Sequence, residues 1–208
     1  MNVGIIGGGN VGGKLGHLLA SVGHRVRVSS RHPSGSASPQ GYVATSVADA
    51  ISDAEVVIIA LPYTATTHVL PPLADALTGK VIVDATNPLN DDWSPLALGE
   101  STSAGEETAR RLPRSRVVKA FNTIFADVMT PERLNRHGHR VTLFIAGDHE
   151  EANQQTALLG RDIGFAPLVT GPLFNARYLE ARAHLNIGIA VGQGGGTNAA
   201  FLYDQASA

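Results

Sequence analysis

Apolar and polar positions along this chain fall into blocks that take turns between the two signatures of regular structure. Asn2–Gly7 is a short apolar strand, and Lys14–Ala20 after it carries apolar residues at helical spacing. His24–Ser30 alternates as a second strand, Gly41–Ser46 reads as a short third, and Val47–Ile51 as a helical turn. Glu55–Leu61 is a continuous apolar run, the pattern of a central parallel strand covered on both faces, and Pro62 ends it. Thr66–Leu77 reads as a helix that Pro71 and Pro72 must interrupt. Further strands are expected at Lys80–Ala85, Arg116–Phe121 and Val141–Ala146, with a short extended piece at Ala166–Val169. Helices are expected at Gly105–Leu112, Glu150–Ile163 and, longest, Gly171–Ala190, with Leu173, Leu179, Leu185 and Ile189 as its apolar positions. This alternation predicts an α/β protein: a doubly wound, mostly parallel Rossmann sheet with a small helical C-terminal extension. Residues 1–170 are expected to form the dinucleotide-binding domain, and 171–208 a helix and tail that complete a substrate pocket. Segments 32–40 and 90–104 read as surface loops.

The first turn carries the most specific chemistry. Gly7-Gly8-Gly9-Asn10-Val11-Gly12 stands between an apolar strand and a helix, where a GxGxxG motif acquires meaning. Gly7 permits the tight turn, Gly9 allows backbone to approach a pyrophosphate, and Gly12 lets helix and strand lie close. Asn10 is placed to cap the helix, whose N-terminus offers N–H groups and a positive dipole end to an anion. Gly16 extends the close-packing face.

The end of the second strand selects the dinucleotide. An NAD site would place a carboxylate there for the ribose 2′-hydroxyl. This chain has Ser29, Ser30 and Arg31, and no carboxylate before Asp49. A guanidinium there suits a 2′-phosphate and the adenine face, so the expected cofactor is NADP(H).

Composition removes several alternatives. The 208 residues include 16 basic and 18 acidic ones, a net charge of −2 that gives no footprint for nucleic acid or an anionic membrane. Cysteine is absent, which excludes disulfides, thiolate nucleophiles and thiolate metal sites and fits the cytoplasm. No apolar run reaches the roughly 18–20 residues of a membrane span, and the N-terminus reads as a strand rather than a signal peptide. His137-Gly-His139 has the spacing of a metal pair but no third ligand nearby, so no metal site is expected.

The predicted carboxyl ends of the strands, where doubly wound sheets bind ligands, carry Leu61-Pro62-Tyr63, Thr86-Asn87-Pro88 and Asn122-Thr123. These are hydroxyls, amides and apolar groups. They form no Ser/His/Asp set, no paired carboxylates and no evident Schiff-base lysine, which favours hydride transfer over hydrolysis. An imine or carbonyl reductase would need a proton donor, for which Tyr63, Lys119 and His68 are the candidates. Lys119 lies in an apolar run and points either into the packing or toward the cofactor. Glu180 and Arg182 read as a solvated or dimer-facing pair on the last helix, Trp93 as a ring-pocket cover or a loop anchor, and Gly192–Gly196 as the helix end. A non-enzymatic NADPH sensor is the alternative from another class.

The motifs Gly7–Gly12, Ser29–Arg31, Ala60–Tyr63, Asp84–Leu89, Val117–Thr123, Gly147-Asp148, Ile163–Phe165 and Gly171–Glu180 together resemble the NADP reductases that use the deazaflavin coenzyme F-420. The resemblance implies hydride transfer between NADP(H) and a deazaflavin or flavin-like acceptor. It puts the 2′-phosphate at Ser29, Ser30 and Arg31, and the nicotinamide and deazaflavin at Pro62, Asn87, Asn122, Thr123 and the glycine-rich tail. Leu61, Tyr63, Pro88 and Ala120 complete the expected cofactor contacts. The chain departs from the family in having no lysine shortly after Arg31, and in Asn122 where some members have histidine. The same module serves reductases that take flavins or iron. The expected partner is a small-molecule acceptor, with a homodimer through the last helix as a further possibility.

Overall fold

The computed structural model describes residues 1–30, 35, 38, 41–98 and 101–205. An eight-stranded sheet is built from β1 (Asn2–Ile6), β2 (Arg25–Ser29), β3 (Val43–Thr45), β4 (Val56–Ile59), β5 (Val81–Asp84), β6 (Arg116–Ala120), β9 (Thr142–Gly147) and β10 (Ala166–Gly171). A separate ribbon of β7 (Asn135–Arg136) and β8 (His139–Arg140) interrupts the sequence. The helices are α1 (Asn10–Ser21), α2 (Val47–Ser52), α3 (Tyr63–Val69), α4 (Ala104–Arg111), α5 (Pro131–Leu134), α6 (Glu150–Asp162) and α7 (Ala176–Ala190).

The strand order is β10-β9-β6-β5-β4-β1-β2-β3. From β1 the chain winds outward through β2 and β3, then returns to place β4 on the other side of β1. The switch in winding therefore falls between β1 and β4, immediately beneath the glycine loop, where such sheets open a ligand crevice. β4 and β5 are completely buried, as their unbroken apolar sequences require. One large apolar cluster, including Ile5, Leu15, Val28, Phe121 and Phe165, fills the α1/α6 face, and a second, including Ile6, Ile59, Leu70 and Ile82, fills the other. Each such side chain contributes roughly 1.5–3 kcal/mol by leaving water.

The structure departs from the sequence expectation on α7, bears out the break at Pro71-Pro72, and includes one antiparallel pairing in the mostly parallel sheet. β9 runs antiparallel to β6, because the segment between them never crosses back over the sheet, and β10 then adds to β9 in parallel. The Pro71-Pro72 pair ends α3 at Val69 and starts a 3₁₀ turn at Pro71–Leu73. On α7, Leu173 just before it and Leu179 are buried, but Leu185 and Ile189 are 58% and 48% exposed. The helix buries Ala176, Glu180, Ala183, Asn186 and Ala190 instead, small residues that permit close approach and polar ones that find partners. Among the described residues, no helix is long and apolar enough to cross a membrane.

Candidate functional site: a dinucleotide cradle and the cavity beside it

Two glycines fix the loop that leads from β1 into α1. Gly7 has φ +112°, and a Cβ there would lie 2.3 Å from the Ala60 carbonyl oxygen at the end of β4. A Cβ at Gly12 would lie 1.8 Å from the Gly7 carbonyl oxygen, so only glycine brings α1 this close to β1. Gly9 is different: a Cβ there would meet nothing within 4 Å, so this backbone faces open space. Gly9 is the N-cap of α1, no side chain caps the helix, and its first turn holds no acidic residue. The expectation that Asn10 caps α1 is thus corrected; it is the first helical residue, and its carbonyl-side neighbours begin the helix without side-chain help. The uncapped N–H groups and the positive dipole end remain directed outward, the arrangement that binds a phosphate. The residues present fit a dinucleotide.

Ser29 is buried, and its Oγ accepts a hydrogen bond from the Gly7 N–H at 2.9 Å. It holds the glycine loop to β2. Ser30 is half-buried and donates its N–H to the Thr45 carbonyl at 2.9 Å. Arg31 lies outside the described residues.

A cavity of about 240 Å³ adjoins the start of α1. Asn10 and Val11 form one wall, Asn87 and Leu89 after β5 a second, Asn122 to Ala126 after β6 a third, and Ala183, Asn186 and Ile187 of α7 the fourth. Its geometry rests on two bulky residues held in left-handed backbone, Phe121 (φ +64°) and Trp93 (φ +68°). Such conformations cost about 1–3 kcal/mol each and concentrate where a site must be shaped. At Phe121 the turn leaves the ring buried edge-on to Phe165 while Asn122 and Thr123 face the cavity. At Trp93 it lays the indole over Phe125, centroids 6.5 Å apart, at the cavity's rim.

Two amides join the walls. Asn122 Nδ2 donates to Asn87 Oδ1 at 3.0 Å, and Asn87 Nδ2 donates to the Asn122 carbonyl at 2.7 Å. Asn122 Oδ1 is buried without a protein partner. None of the described cavity-lining side chains is titratable.

The structure does not bring every expected residue to this cavity. Tyr63 is buried at the start of α3, with its hydroxyl 3.5 Å from Arg111 Nη2 and the Arg111 guanidinium 5.6 Å over its ring, and His68 is exposed at the end of α3. Neither lines the cavity, so neither is placed as a proton donor. Ala120 is a core residue of β6, Leu61 packs in the second apolar cluster, Pro62 is the exposed N-cap of α3, and Pro88 faces a separate cleft. Gly192–Gly196 follow the end of α7, with Gly196 N–H bonded to the Ala190 carbonyl, and do not line the cavity. His137 and His139 sit at the β7–β8 turn, and no group of three metal-ligating side chains occurs among the described residues. Trp93 does line the cavity. The lining residues missed by sequence reasoning are Leu89, Ile124, Phe125, Ala126, Ala183, Asn186 and Ile187, of which the polar Asn186 on α7 offered a signal.

Glu180 and Arg182 are not a solvated pair. Glu180 is buried against Lys119, and Arg182 is sandwiched between Phe144 and Phe201, 4.2 and 4.5 Å from the ring centroids. Lys119 is fully buried: Nζ lies 2.8 Å from Glu180 Oε1, 3.3 Å from Asp84 Oδ1 and 2.5 Å from the Thr86 carbonyl oxygen. Burial works against its charge, but the Asp84 and Glu180 carboxylates outweigh it and hold the lysine above its ordinary value. Lys119 does not line the cavity.

Residues 2–88 match the family described as NADP oxidoreductase, coenzyme F420-dependent. The F420-dependent NADP reductase of Methanothermobacter marburgensis is 30% identical over 220 residues, covering 92% of this chain and 93% of that protein. The crystal structure of a candidate F420-dependent NADP reductase from Arthrobacter sp. FB24 superposes with a TM-score of 0.87 at 27% identity, covering 99% of this chain and 100% of that one. The metalloreductase STEAP3 of Rattus norvegicus is 36% identical over 181 residues, 86% of this chain; the chain spans only 36% of that protein's length. Near end-to-end correspondence with the archaeal reductase, at 30% identity, places this chain in the F420-dependent NADP reductase family.

Proposed function

We propose that this protein transfers a hydride between NADP(H) and a planar ring acceptor of the deazaflavin type, coenzyme F-420, in the cavity beside α1. The observation that carries this reading is a cavity walled by amides, a hydroxyl and aromatic rings, with no acid or base among its described side chains. When bound, the nicotinamide supplies or takes the hydride. The Gly9 backbone and the first N–H groups of α1 hold the pyrophosphate, Ser29 fixes the loop that does so, and Ser30 and Arg31 read the 2′-phosphate. Asn122 Oδ1 accepts from an N–H of a bound ring, while Trp93 and Phe125 exclude water from the reacting faces. Residues 171–208 complete the pocket through Ala183, Asn186 and Ile187. The cysteine-free sequence suits the cytoplasm as the place of work.

A second acceptor class has its own support. The 36% identity to the rat metalloreductase keeps a flavin or ferric chelate as the alternative. Anaerobic stopped-flow mixing of the protein and NADPH with F-420, FMN, a ferric chelate and a cyclic imine separates them. Oxidation at 340 nm fastest with F-420 is the expected result. Rapid reduction of the imine alone would overturn the proposal, and binding without oxidation by any acceptor would make the protein a sensor.

A further inference from the structure

Lys119, Asp84 and Glu180 form a charged cluster in the core that hydride transfer does not use: the lysine and Asp84 side chains are 0% exposed and Glu180 5%. Stability alone does not account for it. Buried ion pairs cost several kcal/mol per ion in desolvation, and well-packed apolar residues of similar size are often as stabilising or more so. What apolar packing cannot supply is direction. Here every bond has one, and the bonds connect four elements.

Lys119 on β6 binds the Asp84 carboxylate at the end of β5 and the Thr86 carbonyl two residues later. Asp84 Oδ1 also accepts the Thr86 N–H at 2.8 Å, so the turn leading to Asn87 is held at both its amide and its carbonyl. Glu180 brings α7 to the same ammonium and accepts the Ala104 and Gly105 N–H groups at 2.9 and 3.1 Å, at the start of α4. Glu180 lies one and two turns before Ala183 and Ile187, the α7 residues that line the cavity. Asn87 and α7 thus form two of the cavity walls, each tied to one ammonium within a few residues of where it lines the cavity.

We propose that Lys119 and Glu180 are positioning residues for the acceptor half of the site: their tether sets how far α7 stands from the Thr86–Pro88 turn, and so the fit of the acceptor ring. The proposal rests on the cavity being the acceptor site. The dinucleotide half, built on β1, α1 and β2, has no member in this cluster.

The test uses Glu180→Ala, which cuts the tether, and Glu180→Gln, which keeps a hydrogen-bond acceptor at the same reach. Trp93, the chain's one tryptophan, stands on the loop after Asn87 and reports wall position without any acceptor present. Glu180→Ala is expected to raise acrylamide quenching of Trp93 by at least half and the F-420 KM at least tenfold. NADPH affinity should stay within twofold, and Glu180→Gln, which keeps one of the two acceptor oxygens, should fall between the parent and Glu180→Ala in quenching and KM. Should Glu180→Ala not fold, Glu180→Asp, which withdraws the carboxylate by one methylene, carries the same comparison. Unchanged quenching and KM in a folded variant would overturn the proposal, as would a matching loss of NADPH affinity or equal damage from Glu180→Gln. If no acceptor is reduced, the quenching and NADPH titrations still decide the tether, so it and the functional reading fail separately.

Discussion

Adding one methyl group at two positions of the glycine loop should weaken NADPH binding at both but cost stability at only one. At Gly12 an alanine Cβ would sit 1.8 Å from the Gly7 carbonyl oxygen and 3.1 Å from Ile5 Cγ2, where ordinary contacts begin near 3.4 Å. The oxygen must recede by about 1.6 Å, and because it belongs to backbone fixed by Ser29 it cannot swing aside. α1 must lift from β1 instead, breaking contacts of Leu15, Leu18 and Leu19, all in the main apolar cluster. Overpacking of this kind costs about 1–3 kcal/mol, and rigid backbone on one side puts this case at the upper end. Gly12→Ala should therefore lower stability in urea by about 3 kcal/mol and weaken NADPH binding with it. At Gly9 the added methyl meets no protein atom, and the residue's extended backbone (φ −77°, ψ −162°) suits alanine. Stability should change by less than about 1 kcal/mol, while the methyl fills the space where a pyrophosphate approaches and costs at least tenfold in affinity, about 1.4 kcal/mol. Urea unfolding and NADPH fluorescence titration read both numbers. A Gly9→Ala protein that binds NADPH like the parent would refute the cradle.

Three further outcomes are expected. Arg31→Ala should raise the KM for NADPH about ten- to hundredfold while leaving NADH use nearly unchanged, which initial-rate kinetics with both cofactors will show. Ser29→Ala removes the acceptor of the part-buried Gly7 N–H, so Tm should fall by the equivalent of about 0.5–1.5 kcal/mol and NADPH binding should weaken in parallel. Glu106 is held below its ordinary 4.5, chiefly by hydrogen bonds from Arg177. A lowered carboxylate stabilises the fold above 4.5 and loses that contribution as pH falls through the lowered value. The Tm gap between the parent and Glu106→Gln should be constant near neutrality and close below pH 4.5.

Much of this architecture was legible because burial on both faces leaves little choice: the apolar runs of β4 and β5 have one stable place in an α/β sheet. The glycine loop was legible for a similar reason, since Gly7 and Gly12 answer purely local contacts. The direction of β9 was not, because strand polarity depends on the path of the connection and leaves no mark in the alternation itself. α7 misled because its burial follows size and pairing rather than hydropathy: Ala183 fits a close approach, Glu180 finds Lys119 61 positions away, and Leu185 is left outside. The position of Asn122 after a strand was readable, and made it a candidate; its link to Asn87 needed the fold.

That none of the described side chains lining the cavity is titratable has a consequence for the proposed reaction. If the proposed exchange takes place there, no described side chain of the cavity stores its proton, which must come from and return to water. On the proposed reading, the relative supply of reduced nicotinamide and of its acceptor would then set which way electrons move, with water taking up or giving the hydrogen ions.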